Sequence, residues 1–272
     1  MQQKARISIL GCGWLGLPLA RSLIREGHRV RGSTTREANL AILADSGIEP
    51  FLIALRPDIE GDRAGFLDSD ILIVDFPPER REDIVEYHVL QSSSLIGALE
   101  GSPVRNVLLV SSTSVYPSLN REVTEEDACD PDAAETEAGK ALLHVEAMLR
   151  SETGFRTTVV RFCGLIGYDR NPARYLVRMK ESADPCQPMN LIHRDDAVGI
   201  IVEIIRQEVW GEVLNACAGI HPARQGFYGV AAAPPGRPVQ PYKIVNSDKL
   251  LKRLGYRFLH PDPVQAPFDP GP

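Results

Sequence analysis

The residues of this chain whose spacing most clearly implies chemistry are Gly11-Cys12-Gly13-Trp14-Leu15-Gly16. They form a G-x-G-x-x-G pattern between an apolar β-type run and a helical run, the context in which such a turn cradles a diphosphate. Gly11 allows the tight turn, Gly13 leaves room for phosphate to approach the backbone, and Gly16 lets the helix pack closely on the strand. The unpaired N–H groups of the helix's first turn then face the anion. A dinucleotide held along Gly11 to Gly16 is the expected ligand.

About 20 residues further on, an NAD site carries Asp or Glu for the ribose 2′-hydroxyl. Here the chain reads Arg29-Val30-Arg31-Gly32-Ser33-Thr34-Thr35-Arg36, without a carboxylate. Arg31 or Arg36 suits a 2′-phosphate through its planar fork, and Ser33 or Thr34 can donate to the same group. The alternative is that these are solvated surface arginines. The expected cofactor is NADP, with NAD as the alternative. A second cluster, Ser111-Ser112-Thr113-Ser114-Val115-Tyr116, follows a buried strand and would direct hydroxyls into the crevice where a nicotinamide ring lies.

These groups need a scaffold, and the pattern of apolar runs supplies one. Arg6 to Leu10 reads as a strand, Leu15 to Glu26 as a helix with Leu15, Leu19 and Leu23 on one face, and His28 to Gly32 as the next strand. Further alternation follows: a helix over Arg36 to Asp45, strands at Phe51 to Ala54 and Asp70 to Asp75, a helix over Glu82 to Leu99, a strand Val104 to Val110, a helix Glu135 to Ser151 and a strand Arg156 to Phe162. Strands apolar on both faces imply an α/β fold, a Rossmann-type doubly wound parallel sheet. Beyond Gly164 proline and glycine become frequent, with a helix after Asp195, a strand Val213 to Ala216, a helical piece Ala223 to Ala232 and a short helix Ser247 to Leu254. The expected division is a dinucleotide-binding domain over 1–163 and a small substrate lobe over 164–272, with parts of 190–220 returning to the core.

With 36 acidic against 30 basic residues, the chain has a formal charge of −6 and no general attraction for a phosphate backbone, so no nucleic-acid partner is expected. The apolar run at the N-terminus is too short for a signal peptide or a membrane span, which points to a cytoplasmic protein without a membrane partner, monomer or homodimer. Five scattered cysteines show no metal or dithiol spacing; reduced thiols and no metal are expected.

Taken together, the glycine turn, the Ser111 to Tyr116 strand end, Arg161-Phe162-Cys163-Gly164-Leu165-Ile166-Gly167 and Asn190-Leu191-Ile192-His193-Arg194-Asp195-Asp196 resemble an extended, atypical short-chain dehydrogenase/reductase. The resemblance is to the NAD(P)-dependent epimerase/dehydratase group and, within it, to a bacterial nucleoside-diphosphate-sugar epimerase-like subfamily. It implies proton transfer by a hydroxyl residue with a Tyr and a Lys four residues apart on one helix, and it assigns the hydroxyl to Ser112 and the lysine to Lys140, which also holds the nicotinamide ribose. Where the tyrosine belongs, the chain has Thr136, whose aliphatic hydroxyl is far too weak an acid to replace a phenol of pKa near 10. Three readings follow: Tyr116 supplies the phenol, His193 or His221 does the proton work, or the redox chemistry is absent and the protein is an NADP-binding regulator.

The resemblance also implies a small-molecule substrate, such as a nucleotide sugar, on Arg174, Arg224, Tyr228 and His193, with the arginines on phosphate and Tyr175 or Tyr228 stacking on a base or sugar. The structural alternative for His193 is an anchor for the helix that begins at Asp195.

Overall fold

The structure, a computed structural model, describes residues 4–128, 130–170, 184–228 and 241–268. In chain order the elements are β1 (Arg6–Leu10), α1 (Gly16–Arg25), β2 (Arg29–Thr34), α2 (Leu40–Asp45), β3 (Glu49–Leu52), β4 (Ala54–Arg56), β5 (Asp58–Glu60), α3 (Arg63–Leu67), β6 (Ile71–Val74), α4 (Ile84–Leu99) and β7 (Asn106–Ser112). There follow β8 (Arg121–Val123), α5 (Glu137–Ser151), β9 (Arg156–Phe162), β10 (Gly164–Ile166), β11 (Leu191–His193), α6 (Arg194–Arg206), β12 (Val213–Ala216), α7 (Arg224–Tyr228), β13 (Lys243–Val245) and α8 (Asp248–Leu254).

Seven parallel strands form the central sheet in the order β3-β2-β1-β6-β7-β9-β12. The inner strands β1, β6, β7 and β9 are rich in apolar residues, many of them branched, because both of their faces are covered, whereas the edge strand β3 is largely exposed. Period-two alternation sends Ile71 and Ile73 of β6 into one core, with Leu19 and Leu23 of α1 and Ile200 and Ile204 of α6. Leu72 and Val74 enter the other, with Leu95 of α4 and Val145 and Leu149 of α5. The doubly wound α/β architecture is therefore present, and β12 places residues after the Gly164 boundary at the edge of the main sheet.

Some elements escape the sequence pattern. The β4–β5 antiparallel hairpin and α3 occupy what reads as one strand and a loop, α3 being started by Asp62, whose carboxylate accepts from the Gly65 amide at 3.0 Å. Two further parallel pairs, β10–β11 and β8–β13, join segments distant in sequence. Of the helical piece Ala223 to Ala232, α7 is seen, and 229–240 lie outside the described residues.

One expectation is corrected outright: Cys163 and Cys217 form a disulfide. Register explains it, because Phe162 of β9 lies beside Ala216 of β12, so the next residue on each strand falls side by side with Cα atoms 5.1 Å apart. Cys12 and Cys186 are free thiols, and Cys129 lies outside the described residues. Among the described residues no helix is long and apolar enough to cross a membrane.

Candidate dinucleotide crevice

β1 and β6 are neighbours in the sheet, but the connection after β1 leads to β2 on one side and the connection after β6 leads to β7 on the other. A crevice opens at the carboxyl ends where they part, the position at which open α/β sheets bind ligands. The glycine turn lies there. Gly11 has φ +109°, and a Cβ on it would collide with the carbonyl oxygen of Asp75, so the turn rests directly on the end of β6. A Cβ on Gly16 would collide with the Gly11 carbonyl, whereas among the described residues nothing beyond its chain neighbours lies within 4 Å of the place where a Gly13 Cβ would stand. The first and third glycines therefore shape the turn, and the second faces open space.

Two hollows meet at Gly11 and Gly13. One, of about 410 Å³, runs past Ser33, Thr34, Arg36 and Asn39 at the end of β2. The other, of about 540 Å³, runs past Asp75, Ser112, Ser114, Ala138, Leu142 and Arg170. A third, of about 360 Å³, shares Ser112 and Ser114 with the second and is lined by Gln187, Arg224, Tyr242 and Lys243.

Around the turn, the Gly11 amide donates to Ser33 Oγ at 2.9 Å and the Cys12 amide to the Ser33 carbonyl at 2.9 Å, which makes Ser33 a brace for the turn. Thr34 Oγ1 accepts from the Arg36 amide at 3.2 Å. Arg36 is exposed on the rim and has no ion-pair partner among the described residues. Cys12 is half-buried, and burial together with the Asp75 charge pushes its thiol up to about 12, so it is not a nucleophile. Trp14 Nε1 donates to Asp169 Oδ1 at 2.7 Å, and the guanidinium groups of Arg170 and Arg194 lie 4.1 and 4.8 Å from its ring centroid. Leu15 is buried and contributes the crevice wall.

Arg31 is not brought to this end. It lies mid-strand on β2, where it pairs with Glu49 at 3.1 Å and with Asp68 at 3.3 Å, below the crevice.

Ser112 ends β7 inside the crevice; its Oγ accepts from the Ser114 amide at 3.2 Å and keeps a hydroxyl hydrogen to donate. Tyr116 is elsewhere. The short 3₁₀ turn Thr113–Val115 carries it into the core, where it is fully buried, donates to Asn215 Oδ1 at 2.6 Å and accepts from Arg161 Nη1 at 2.8 Å. Burial pushes its phenol up to about 12, and it cannot serve as an acid in the crevice.

Lys140 is also displaced. The two residues that α5 presents to the crevice, one turn apart, are Ala138 and Leu142, and Lys140 lies on another face, 2.8 Å from Glu137. Thr136 is the N-cap of α5, its Oγ1 accepting from the Gly139 amide at 3.0 Å. Among the described residues, no phenol and no ammonium lines the second hollow.

His193 is 1% exposed and starts α6, its Nδ1 accepting from the Asp195 amide at 3.2 Å. Its ring centroid lies 4.1 Å from that of His260 and 5.2 Å from that of Tyr168. His193, Asp195 and His260 bring ligand-type atoms within 4.8 Å of one another, but the His193 Nδ1 lone pair already serves the cap and Asp195 accepts from the Tyr168 hydroxyl at 2.7 Å. His221 does not line the three hollows, and burial holds its pKa down. Arg224 lines the third hollow and donates to Gln187 Oε1 at 2.7 Å, while Tyr228 packs edge-on against Phe227. Arg174 and Tyr175 lie outside the described residues.

Three residues were not signalled as site residues by the sequence. Asp75 follows β6 and faces the turn, Arg170 follows β10 into the same hollow, and Lys243 of β13 lines the third hollow and donates from Nζ to the Tyr116 carbonyl. Burial lowers the pKa of Lys243, opposed by Glu135. Only Asp75, a carboxylate at the end of a strand beside the turn, left a trace that sequence reasoning can use.

No family model matches the chain. The Escherichia coli K12 protein YeeZ is 29% identical over 276 aligned residues, covering 97% of this chain and 99% of that one. A structure from Methylobacillus flagellatus, named for the NAD-dependent epimerase/dehydratase group, is 26% identical with a TM-score of 0.71, over 97% of this chain and 96% of that one. The UDP-glucuronic acid 4-epimerase of Bacillus cereus, solved with NAD, has a TM-score of 0.75 at 17% identity, over 96% of this chain and 97% of that one, and shows the fold alone. The chain is thus a Rossmann-fold protein related to the broad superfamily of NAD-dependent epimerases and dehydratases.

Proposed function

We propose that this protein binds a nicotinamide dinucleotide, with preference for the 2′-phosphorylated form, and presents it to a small anionic, hydroxyl-bearing metabolite of the sugar or nucleotide-sugar class, as an oxidoreductase or epimerase. The observation that carries this reading is the alignment of three hollows: two join at the glycine turn and the second and third join at Ser112 and Ser114. In this reading the amides of the turn and of α1 hold the diphosphate and Arg170 adds positive charge. Ser112 donates to the substrate oxygen, and Arg224 and Lys243 hold its anionic end. The bound cofactor supplies hydride chemistry, and the protein positions it.

The test is titration with NADPH and NADH, followed by an absorbance screen of hydroxylated phosphates, sugar acids and nucleotide sugars. Failure of both dinucleotides to bind defeats the proposal. Preference for the 2′-phosphate is assigned to Arg36, so Arg36→Ala is expected to weaken NADPH about tenfold, roughly 1.4 kcal/mol, and NADH less than about twofold. Equal losses for the two would remove that assignment.

A second reading, a dinucleotide-dependent binding or sensor protein with little turnover, is favoured by α5 turning Ala138 and Leu142 to a hollow that no phenol or ammonium lines among the described residues. Lys140→Met separates the geometry from the motif. Because Lys140 pairs with Glu137 and lines none of the hollows, dinucleotide affinity is expected to stay within about twofold, an effect near ~0.4 kcal/mol; a loss of tenfold would return Lys140 to the cofactor site.

A further inference from the structure

Asp75 is the one carboxyl among the described residues lining the hollow beyond the glycine turn. Its carboxylate lies beside the start of α1, near enough to the Gly16 amide to be favoured by it, and a Cβ on Gly16 would stand 3.3 Å from its Oδ2. These helix-start amides are the donors that a diphosphate uses. An ionised carboxylate therefore competes with the ligand for the same donors and adds like-charge repulsion.

We propose that the dinucleotide enters this crevice together with one proton, which settles on Asp75 and converts it from a competing anion into a neutral hydrogen-bond donor. The proton comes from solvent and is returned when the ligand leaves. The inference rests on the dinucleotide reading and adds a coupling to it.

The surroundings set the range over which this operates. Burial pushes the Asp75 carboxyl up to about 7, against the opposing pull of Arg170 and the Gly16 amide. The other groups facing it leave that balance alone near neutrality: Cys12 of the turn remains a thiol, β7 offers the hydroxyls of Ser112 and Ser114, and α5 offers Ala138 and Leu142. Glu79 lies in the other hollow, across the turn. Below about pH 7 Asp75 is already neutral and binding needs no proton; above it, each pH unit costs about tenfold in affinity.

The experiment is calorimetric titration of the intact protein with NAD, which has no 2′-phosphate to titrate, from about pH 6 to about pH 9 in buffers of different ionisation enthalpy. The wild type is expected to show a constant Kd below about pH 7, a rise of about tenfold per unit above it, and uptake approaching one proton per ligand. Asp75→Asn is expected to bind NAD with no such pH dependence and, near pH 8.5, about thirtyfold more tightly than wild type. A flat wild-type profile with no proton uptake overturns the inference and leaves dinucleotide binding standing, and so does an Asp75→Asn protein that keeps the wild-type slope. If Asp75→Asn does not fold, the proton count of the wild type decides alone. Absence of NAD binding at every pH overturns the dinucleotide reading itself, and this inference with it.

Discussion

Gly13→Asp is expected to weaken dinucleotide binding about a hundredfold or more, roughly 2.7 kcal/mol, while melting within a few degrees of the wild type. Most glycine-motif substitutions confound binding with folding, and this one separates them. At Gly11 or Gly16 a side chain would strike backbone atoms, so loss of binding there would report a damaged turn. Gly13 is exposed, lacks a positive φ, and has free space where a side chain would go, so the fold tolerates the change. Gly13 lines both hollows that meet at the turn, and a carboxylate placed there opposes any diphosphate crossing between them. The measurement pairs a fluorescence titration with a thermal melt. Unchanged affinity would mean that the ligand does not cross the turn.

Arg161→Met is expected to cost about 3–5 kcal/mol of stability, because it leaves a carboxylate buried without its partner. Arg161 and Glu146 are each 2% exposed and 2.7 Å apart, from β9 and α5. Burial works against the guanidinium charge, and the hydrogen bonds and charge of Glu146 outweigh it, so its pKa rises. Glu146 also accepts from Ser111 Oγ at 2.6 Å, and Arg161 donates to the Tyr116 hydroxyl and to the carbonyls of Glu125 at 3.1 Å and Ala128 at 3.0 Å. The network ties the turn after β7 to the core, which keeps Ser112 at the crevice while Tyr116 is drawn inward. Denaturant unfolding measures the loss. Adding Glu146→Leu to Arg161→Met is expected to recover part of it, since the unpaired charge is then gone. A single-variant loss below about 1 kcal/mol would show that the ion pair is not what holds this region.

The local sequence revealed most of the sheet and the turn, because both are written in neighbouring residues. Strands β1, β9 and β12 begin and end at the residues that their apolar runs mark, and the leucines of α1 fall on one face as their spacing requires. The site was legible only where the chain is tightly constrained. Gly11 to Gly16 can be read from the strand and helix on either side, whereas Lys140 cannot, because spacing gives the separation of residues along α5 but not which face turns to the crevice. That rotation is set by long-range packing, which turns Ala138 and Leu142 inward. Tyr116 shows the same limit: four residues from Ser112 in sequence, it is separated from it by a single 3₁₀ turn that reverses its direction. Arg31 and Arg36 look equivalent on paper, but one is mid-strand among acidic neighbours and the other stands beyond the strand's end on the rim. The pairing of Cys163 with Cys217 depends on β9 and β12 being neighbours, a fact of topology that a 54-residue separation conceals.

The meeting of two hollows at one bend has a consequence for what the groove selects. Arg36 lines one hollow and Ser112 the other, so a ligand that touches both spans the turn, and two separate fragments must each give up their own freedom of motion to settle there. A single tethered molecule gives up that freedom once, and its second half then binds at the high effective concentration set by the tether. Selectivity for elongated, two-headed ligands is thus built into the shape of the groove, before any individual side chain discriminates.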